Sequence, residues 1–187
     1  MSIKQNKKYN VKIFDKINLF YCETKKILII KGPQAQRSLK IETKLIIKKN
    51  ELEVTSLPLS KRQNNLQKKL KEKQGTTVAL IKQLLTDTCT ITYKKLNFKG
   101  IGYRASFIEN NLLLLKLGYS HPIYFKTPNN LEIFSLKLAK LFLSGNSYQS
   151  VTSAASLIRS KKLPEPYNGK GILYENEKIK LKKGKKI

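Results

Sequence analysis

Between Leu163 and Tyr174 the chain reads Leu-Pro-Glu-Pro-Tyr-Asn-Gly-Lys-Gly-Ile-Leu-Tyr, joining two rigid prolines, two bare glycines, a lysine and two tyrosines in one short loop. Pro164 and Pro166 fix φ and keep the backbone extended. Gly169 and Gly171 remove side chains where another surface must come close, and Lys170 offers a cation between them. That combination suits a phosphate backbone. Tyr167 and Tyr174 place rings beside cations, able to stack on a base at about 1–3 kcal/mol each, and equally able to pack the loop itself. Downstream, Lys178, Lys180, Lys182 and Lys183 begin a basic run that continues to Lys186, a composition that is disordered alone and orders on a polyanion. Upstream, Arg159, Lys161 and Lys162 bring cations to the other end of the loop.

Other residues invite catalytic readings that their surroundings do not sustain. Gly169-Lys170-Gly171 lacks the Ser or Thr that follows the lysine of a phosphate-binding Walker loop, and Pro164 stands where its first glycine belongs. Gly100-Ile101-Gly102 has no third glycine at dinucleotide spacing and no capped helix after it, so it reads as a bulged strand where glycine lets backbones approach. His121, the single histidine, follows Ser120, but no carboxylate or nucleophile elbow is placed by sequence to complete a triad. It reads as a stacking or hydrogen-bonding group at a strand start, or as a nucleic-acid contact. Glu165, Glu175 and Glu177 lie in or beside the basic loop, where local charge balance accounts for them better than paired acid and base work. Cys22 and Cys89 have no second Cys or His at ligand spacing, so no metal site or disulfide scaffold is expected. No cofactor, catalytic residue or small-molecule substrate is expected.

The charge balance agrees with a polyanionic partner. Thirty-eight Lys and Arg against 12 Asp and Glu give a formal +26, far beyond what solubility needs. A phosphate backbone is the commonest such partner and a bilayer surface the second. Apolar runs such as Leu112 to Leu117 fall well short of the about 20 residues that span a bilayer, and Lys116 interrupts that run. The basic segment Met1 to Lys8 is not followed by a signal core, and its few Arg and Ser do not suit a transit peptide. Abundant Lys, Ile and Asn with no Trp reflect an AT-rich gene, which favours an organelle or an AT-rich bacterium.

The elements that must position these residues are read from periodicity. Strand-like segments fall at Tyr9 to Phe14, Ile27 to Lys31 and Leu45 to Thr55, the last with a turn at Lys49-Asn50, and read together as an antiparallel meander. Residues 61–74 form a basic loop or helix, read as a partly ordered stretch facing RNA or solvent. Gly75-Thr76-Thr77 then offers caps for a helix with Val78, Ile81, Leu84 and Leu85 on one face. The plan repeats. Strands are expected at Tyr93 to Phe98, Arg104 to Ile108, Leu112 to Leu117 and His121 to Lys126, with Glu109-Asn110-Asn111 turning a hairpin. After the apolar run Leu138 to Leu143, Gly145-Asn146-Ser147 can cap a helix with Val151, Ala154, Ala155 and Ile158 inward; Pro164 prevents its continuation. The expectation is an α+β chain of two tandem duplicated domains, each an antiparallel or mixed sheet covered by one helix. They span residues 1–92 and 93–176, followed by a basic tail at 177–187.

Several motifs in order resemble one family. Gly75-Thr76, Gly100-Ile101-Gly102-Tyr103-Arg104-Ala105, Leu117-Gly118-Tyr119-Ser120-His121-Pro122 and Pro164 to Gly171 are similar in order and spacing to the large-subunit ribosomal protein six family. In that family the last motif reads Pro-Glu-Pro-Tyr-Lys-Gly-Lys-Gly, and Asn168 departs from it. The resemblance implies two duplicated α+β domains and a structural role on large-subunit rRNA near the stem of the sarcin-ricin loop, mainly through the second domain. Neighbouring proteins of the stalk base are implied partners. Arg104 joins His121 among the candidate RNA contacts, and taken with the AT-rich composition the expected setting is a mitochondrial ribosome, with plastid and bacterial ribosomes as alternatives. A non-ribosomal basic RNA-binding protein is the other reading.

Overall fold

Leu28 and Ile30 are fully buried while Ile27 and Ile29 are half-exposed, the period-two pattern of a strand with one inward face. The computed structural model describes residues 9–48, 51–55, 64–108, 111–137 and 139–184, and the same pattern recurs along its strands. The chain divides into two compact units, residues 1–90 and 91–187.

The first unit contains β1 (Asn10–Lys12), β2 (Asn18–Cys22), β3 (Ile27–Lys31), β4 (Gln36–Lys40), β5 (Leu45–Ile47), β6 (Glu51–Val54) and helix α1 (Asn64–Cys89). Its strands make two antiparallel sheets, β2-β3-β4 and β1-β6-β5. Helix α1 lies against strands of both, burying Val78, Ile81 and Leu85 on Val11, Leu28, Ile30, Leu52 and Val54. The second unit contains β7 (Thr92–Lys99), β8 (Arg104–Ile108), β9 (Leu112–Lys116), β10 (Ile123–Lys126), β11 (Leu131–Lys137), β12 (Lys140–Gly145), helix α2 (Tyr148–Ser160) and β13 (Gly171–Tyr174). Here the sheets are β10-β9-β8 and β11-β12-β7-β13, again antiparallel. Val151, Ala154, Ala155 and Ile158 bury the inner face of α2 against Leu96, Phe98, Leu141, Leu143 and Ile172.

The duplicated α+β plan expected from the sequence is present. In each unit a first strand, a three-stranded meander, two further strands and a helix follow in the same order, and the sheet order β5-β6-β1 is repeated as β11-β12-β7. Strand β13 adds an edge on β7 in the second unit. Five local expectations are corrected. The strand-like segments of the first half do not form one meander: β1 and β6 share one sheet, while β3 takes β2 and β4 as partners in the other. Strands β2, β4, β11 and β13 lie outside the segments read as strand-like, β13 forming the last four residues of the stretch read as one loop. In β4, Gln-Arg-Ser-Leu-Lys carries one apolar residue, too little for a pattern. Gly75-Thr76-Thr77 caps nothing, because α1 is one helix of 26 residues that runs through it. Residues 64–74 are therefore helical instead of partly ordered, and 61–63 lie outside the described residues. Gln, Lys, Leu and Glu favour helix along that stretch, and buried Gln74 directs its amide to the Val54 carbonyl. Thr76 and Thr77 return their hydroxyls to the carbonyls of Lys73 and Gln74, the usual fate of these residues inside a helix. Gly100 and Gly102 form a tight turn between β7 and β8 instead of a bulge, with Tyr103 N–H donating to Gly100 O at 3.3 Å.

The turns expected at Lys49-Asn50 and Glu109-Asn110 lie outside the described residues; the hairpins they would join, β5-β6 and β8-β9, are present. Among the described residues no helix is long and apolar enough to cross a membrane. Cys22 is exposed, Cys89 half-buried, and both are free.

Candidate nucleic-acid interface

Helix α2 sets one end of the site. Ser147, in extended conformation, caps its start by accepting from Ser150 N–H, and Lys161 caps its end. The chain then turns back, and Ile172 N–H donates to Lys162 O at 3.0 Å, tying β13 to the end of the helix. The intervening loop is closed by its own backbone: Glu165 N–H donates to Lys170 O at 2.8 Å and Gly169 N–H to Glu165 O at 2.9 Å. Gly171 is buried, and a Cβ there would lie 2.6 Å from Pro164 Cα. The close approach that this glycine permits is therefore made by the loop's own proline. Tyr167 and Lys170 remain exposed, as does Lys161.

The β9-β10 connection reaches the same corner. Tyr119 donates its hydroxyl to Lys161 O at 3.0 Å, and Lys162 Nζ sits 4.3 Å from the centre of its ring. One tyrosine thus satisfies a carbonyl at the end of α2 and holds a lysine over its face. His121 follows two residues later, exposed, with Nδ1 3.4 Å from Ser120 Oγ. Arg104 begins β8 directly opposite Lys116 of β9, and both are exposed. Like charges set opposite each other across two strands repel unless an anion lies between them.

The tail closes the other side. Arg159 makes a bidentate pair with Glu177, Nη2 to Oε1 at 2.6 Å and Nε to Oε2 at 3.2 Å, and its guanidinium lies 5.5 Å from the Tyr174 ring centre. Tyr174 N–H donates to Glu177 Oε2 at 3.1 Å. The Arg159 hydrogen bond, aided by that amide, holds the Glu177 carboxyl below the usual carboxylate range. Arg159 and Tyr174 are thus engaged inside the protein, whereas Lys178, Lys180, Lys182 and Lys183 are exposed. The ion pairs among the described residues are Lys48–Glu53, Lys73–Glu42, Lys95–Glu175 and Arg159–Glu177, and none takes up a lysine of the loop or tail.

The structure therefore gathers Arg159, Lys161, Lys162, Tyr167, Gly169, Lys170, Gly171 and Tyr174 on one helix-loop-strand corner, with the tail lysines beside it. Arg104 stands on the neighbouring sheet. Sequence reasoning passed over Tyr119, Lys116 and Leu181. The spacing Leu117-Gly118-Tyr119 carries no periodic signal that points the ring at a helix end 42 residues away. Among the described residues no group of three or more His, Cys, Asp or Glu side chains could hold a metal ion.

Fold and site together define a basic, duplicated α+β protein whose surplus lysines are arranged around a backbone-closed loop. The sequence model of ribosomal protein L6 matches residues 99–175, from the end of β7 to just past β13. The chain is 40% identical over 172 residues to large ribosomal subunit protein uL6 of Mycoplasmoides gallisepticum, with 90% of each chain covered. It is 39% identical over 170 residues to uL6 of Mycoplasma pneumoniae, covering 91% of this chain and 89% of that one. Against uL6 of Neisseria gonorrhoeae the identity is 33% over 159 residues, covering 85% and 86%. This chain belongs to the ribosomal protein L6 family.

Proposed function

We propose that this chain is a structural constituent of the large ribosomal subunit, held by its second unit to large-subunit rRNA near the stem of the sarcin-ricin loop, beside the stalk-base proteins. The observation that carries the reading is the set of exposed lysines within and on both flanks of the 163–174 loop, Lys170 inside it and Lys161, Lys178, Lys180, Lys182 and Lys183 around it, outside every ion pair of the described residues. Their spread along a backbone-closed edge suits successive phosphates, which position a protein without reading bases. Arg104 and Lys116 supply a further phosphate contact on the β8-β9 sheet, with His121 close by in sequence to Lys116. Tyr167, half its surface free, is the ring available to a ribose or base. The family is one of structural proteins, and the role needs no catalytic group. As for the compartment, composition favoured a mitochondrial ribosome over a plastid or bacterial one; the relatives from Mycoplasmoides, Mycoplasma and Neisseria are bacterial and favour the last.

The test is a salt titration of rRNA binding. Lys170→Ala combined with removal of residues 178–187 should weaken binding and flatten its salt dependence, by about 0.7–0.9 in slope for each phosphate that is no longer neutralised. An unchanged slope would remove these lysines from the interface.

A further inference from the structure

The lysine tail does not run free from the loop it follows. Lys182 N–H donates to Pro166 O at 2.9 Å, which brings the tail back across the Pro-Tyr-Asn-Gly turn. Leu181 covers Gly169: a Cβ at that glycine would lie 3.3 Å from Leu181 Cδ2, and the φ of +67° there favours glycine in any case. At the near end, Glu177 is fixed by Arg159 and by Tyr174 N–H. Between these anchors Lys178 and Lys180 face solvent while Ile179 is half-buried. A free segment of this charge would extend away from Lys170 by self-repulsion. Its return to the loop needs contacts that outweigh that repulsion, and no lysine side chain makes them: they come from the Lys182 backbone N–H, Leu181 and Glu177.

We propose that residues 177–182 form a latch that presets the tail lysines alongside Lys170 before RNA arrives, with Glu177 and Leu181 as its positioning residues. The inference rests on the RNA-contact reading of this edge. It gives Gly169, already favoured by its φ of +67°, a second use as the surface on which Leu181 docks. It also separates two classes of residue: lysines that neutralise phosphates, and anchors that spare the bound state the cost of ordering those lysines.

The experiment uses the full chain and a transcribed large-subunit rRNA segment containing the sarcin-ricin stem, with Leu181→Ala, Glu177→Gln and their combination. Freed from the latch, the double variant should bind about five- to tenfold more weakly at every salt concentration, the cost of ordering a few long side chains. Its salt slope should equal that of the wild type, because the same lysines meet the same phosphates once bound. Leu181→Met, which keeps an apolar chain over Gly169, should restore affinity. In the free protein, trypsin should cut after Lys180 and Lys182 several-fold faster in the double variant, with cleavage elsewhere unchanged. Equal tryptic rates, equal affinities or tighter binding by the variants would overturn the proposal, the last by showing that the tail covers the site. If trypsin finds the latch but the wild type does not bind this RNA in preference to an unrelated duplex, the RNA reading fails and the positioning role falls with it.

Discussion

Gly171 holds a φ of +148° with no room for a Cβ beside Pro164, so its side-chain-free state is a requirement of the fold. Gly171→Ala should destabilise the second unit by about 2 kcal/mol or more, through backbone strain and a clash that cannot relax. Thermal unfolding of the variant checks this, and a wild-type melting temperature would refute it. Read in the sequence, the same glycine marked a place where a foreign surface comes close. Spacing reveals that an approach occurs and cannot say whether the partner is another molecule or the chain's own proline. Glu177 shows the opposite case: local charge balance was legible, and the structure gives it a bidentate geometry on Arg159. Because Arg159 lowers its pKa in the fold, ionised Glu177 contributes stability above the unfolded carboxylate range, near about pH 4.3, and that contribution is lost as pH falls through the lower folded value. Melting temperature should therefore drop more steeply below about pH 4.3 in the wild type than in Glu177→Gln. Glu42, held down by Lys73, titrates in both proteins and cancels in the comparison. Parallel curves would show that the pair adds nothing.

Helix α2 was legible from end to end, because its cap, its four inward apolar residues and the following proline all agree on one register. Helix α1 was legible only in its second half. Its first turns are polar almost throughout, and a Gly-Thr-Thr sequence that usually begins a helix stands in its middle. Propensity and the docking of Gln74 outweigh that punctuation. Gly75 is exposed, and a Cβ there meets nothing within 4 Å. Gly75→Ala should consequently stabilise the first unit by about 0.5–1 kcal/mol, seen as a raised urea midpoint with unchanged slope. A lowered midpoint would mean that the helix needs its break. Strands β2 and β4 escaped sequence reading because flanking strands of a three-stranded sheet bury little, so their alternation is faint beside that of β3.

At the scale of the molecule, duplication and charge carry the account. Both were visible in the sequence, since each repeat keeps its apolar run and helix, and +26 needs no structure to be seen. The corner where Tyr119, the end of α2, the 163–174 loop and the tail converge was not visible, because it depends on contacts between segments far apart in the chain. Membership of the ribosomal protein L6 family turns the charge into an expectation about a particle. The most direct measurement is sedimentation of cell extract at graded salt, followed by detection of this chain across the gradient. It should travel with the large ribosomal subunit at moderate salt and leave it only at high salt, as phosphate contacts require. A pool that stays mainly soluble, or that floats with lipid, would contradict the account.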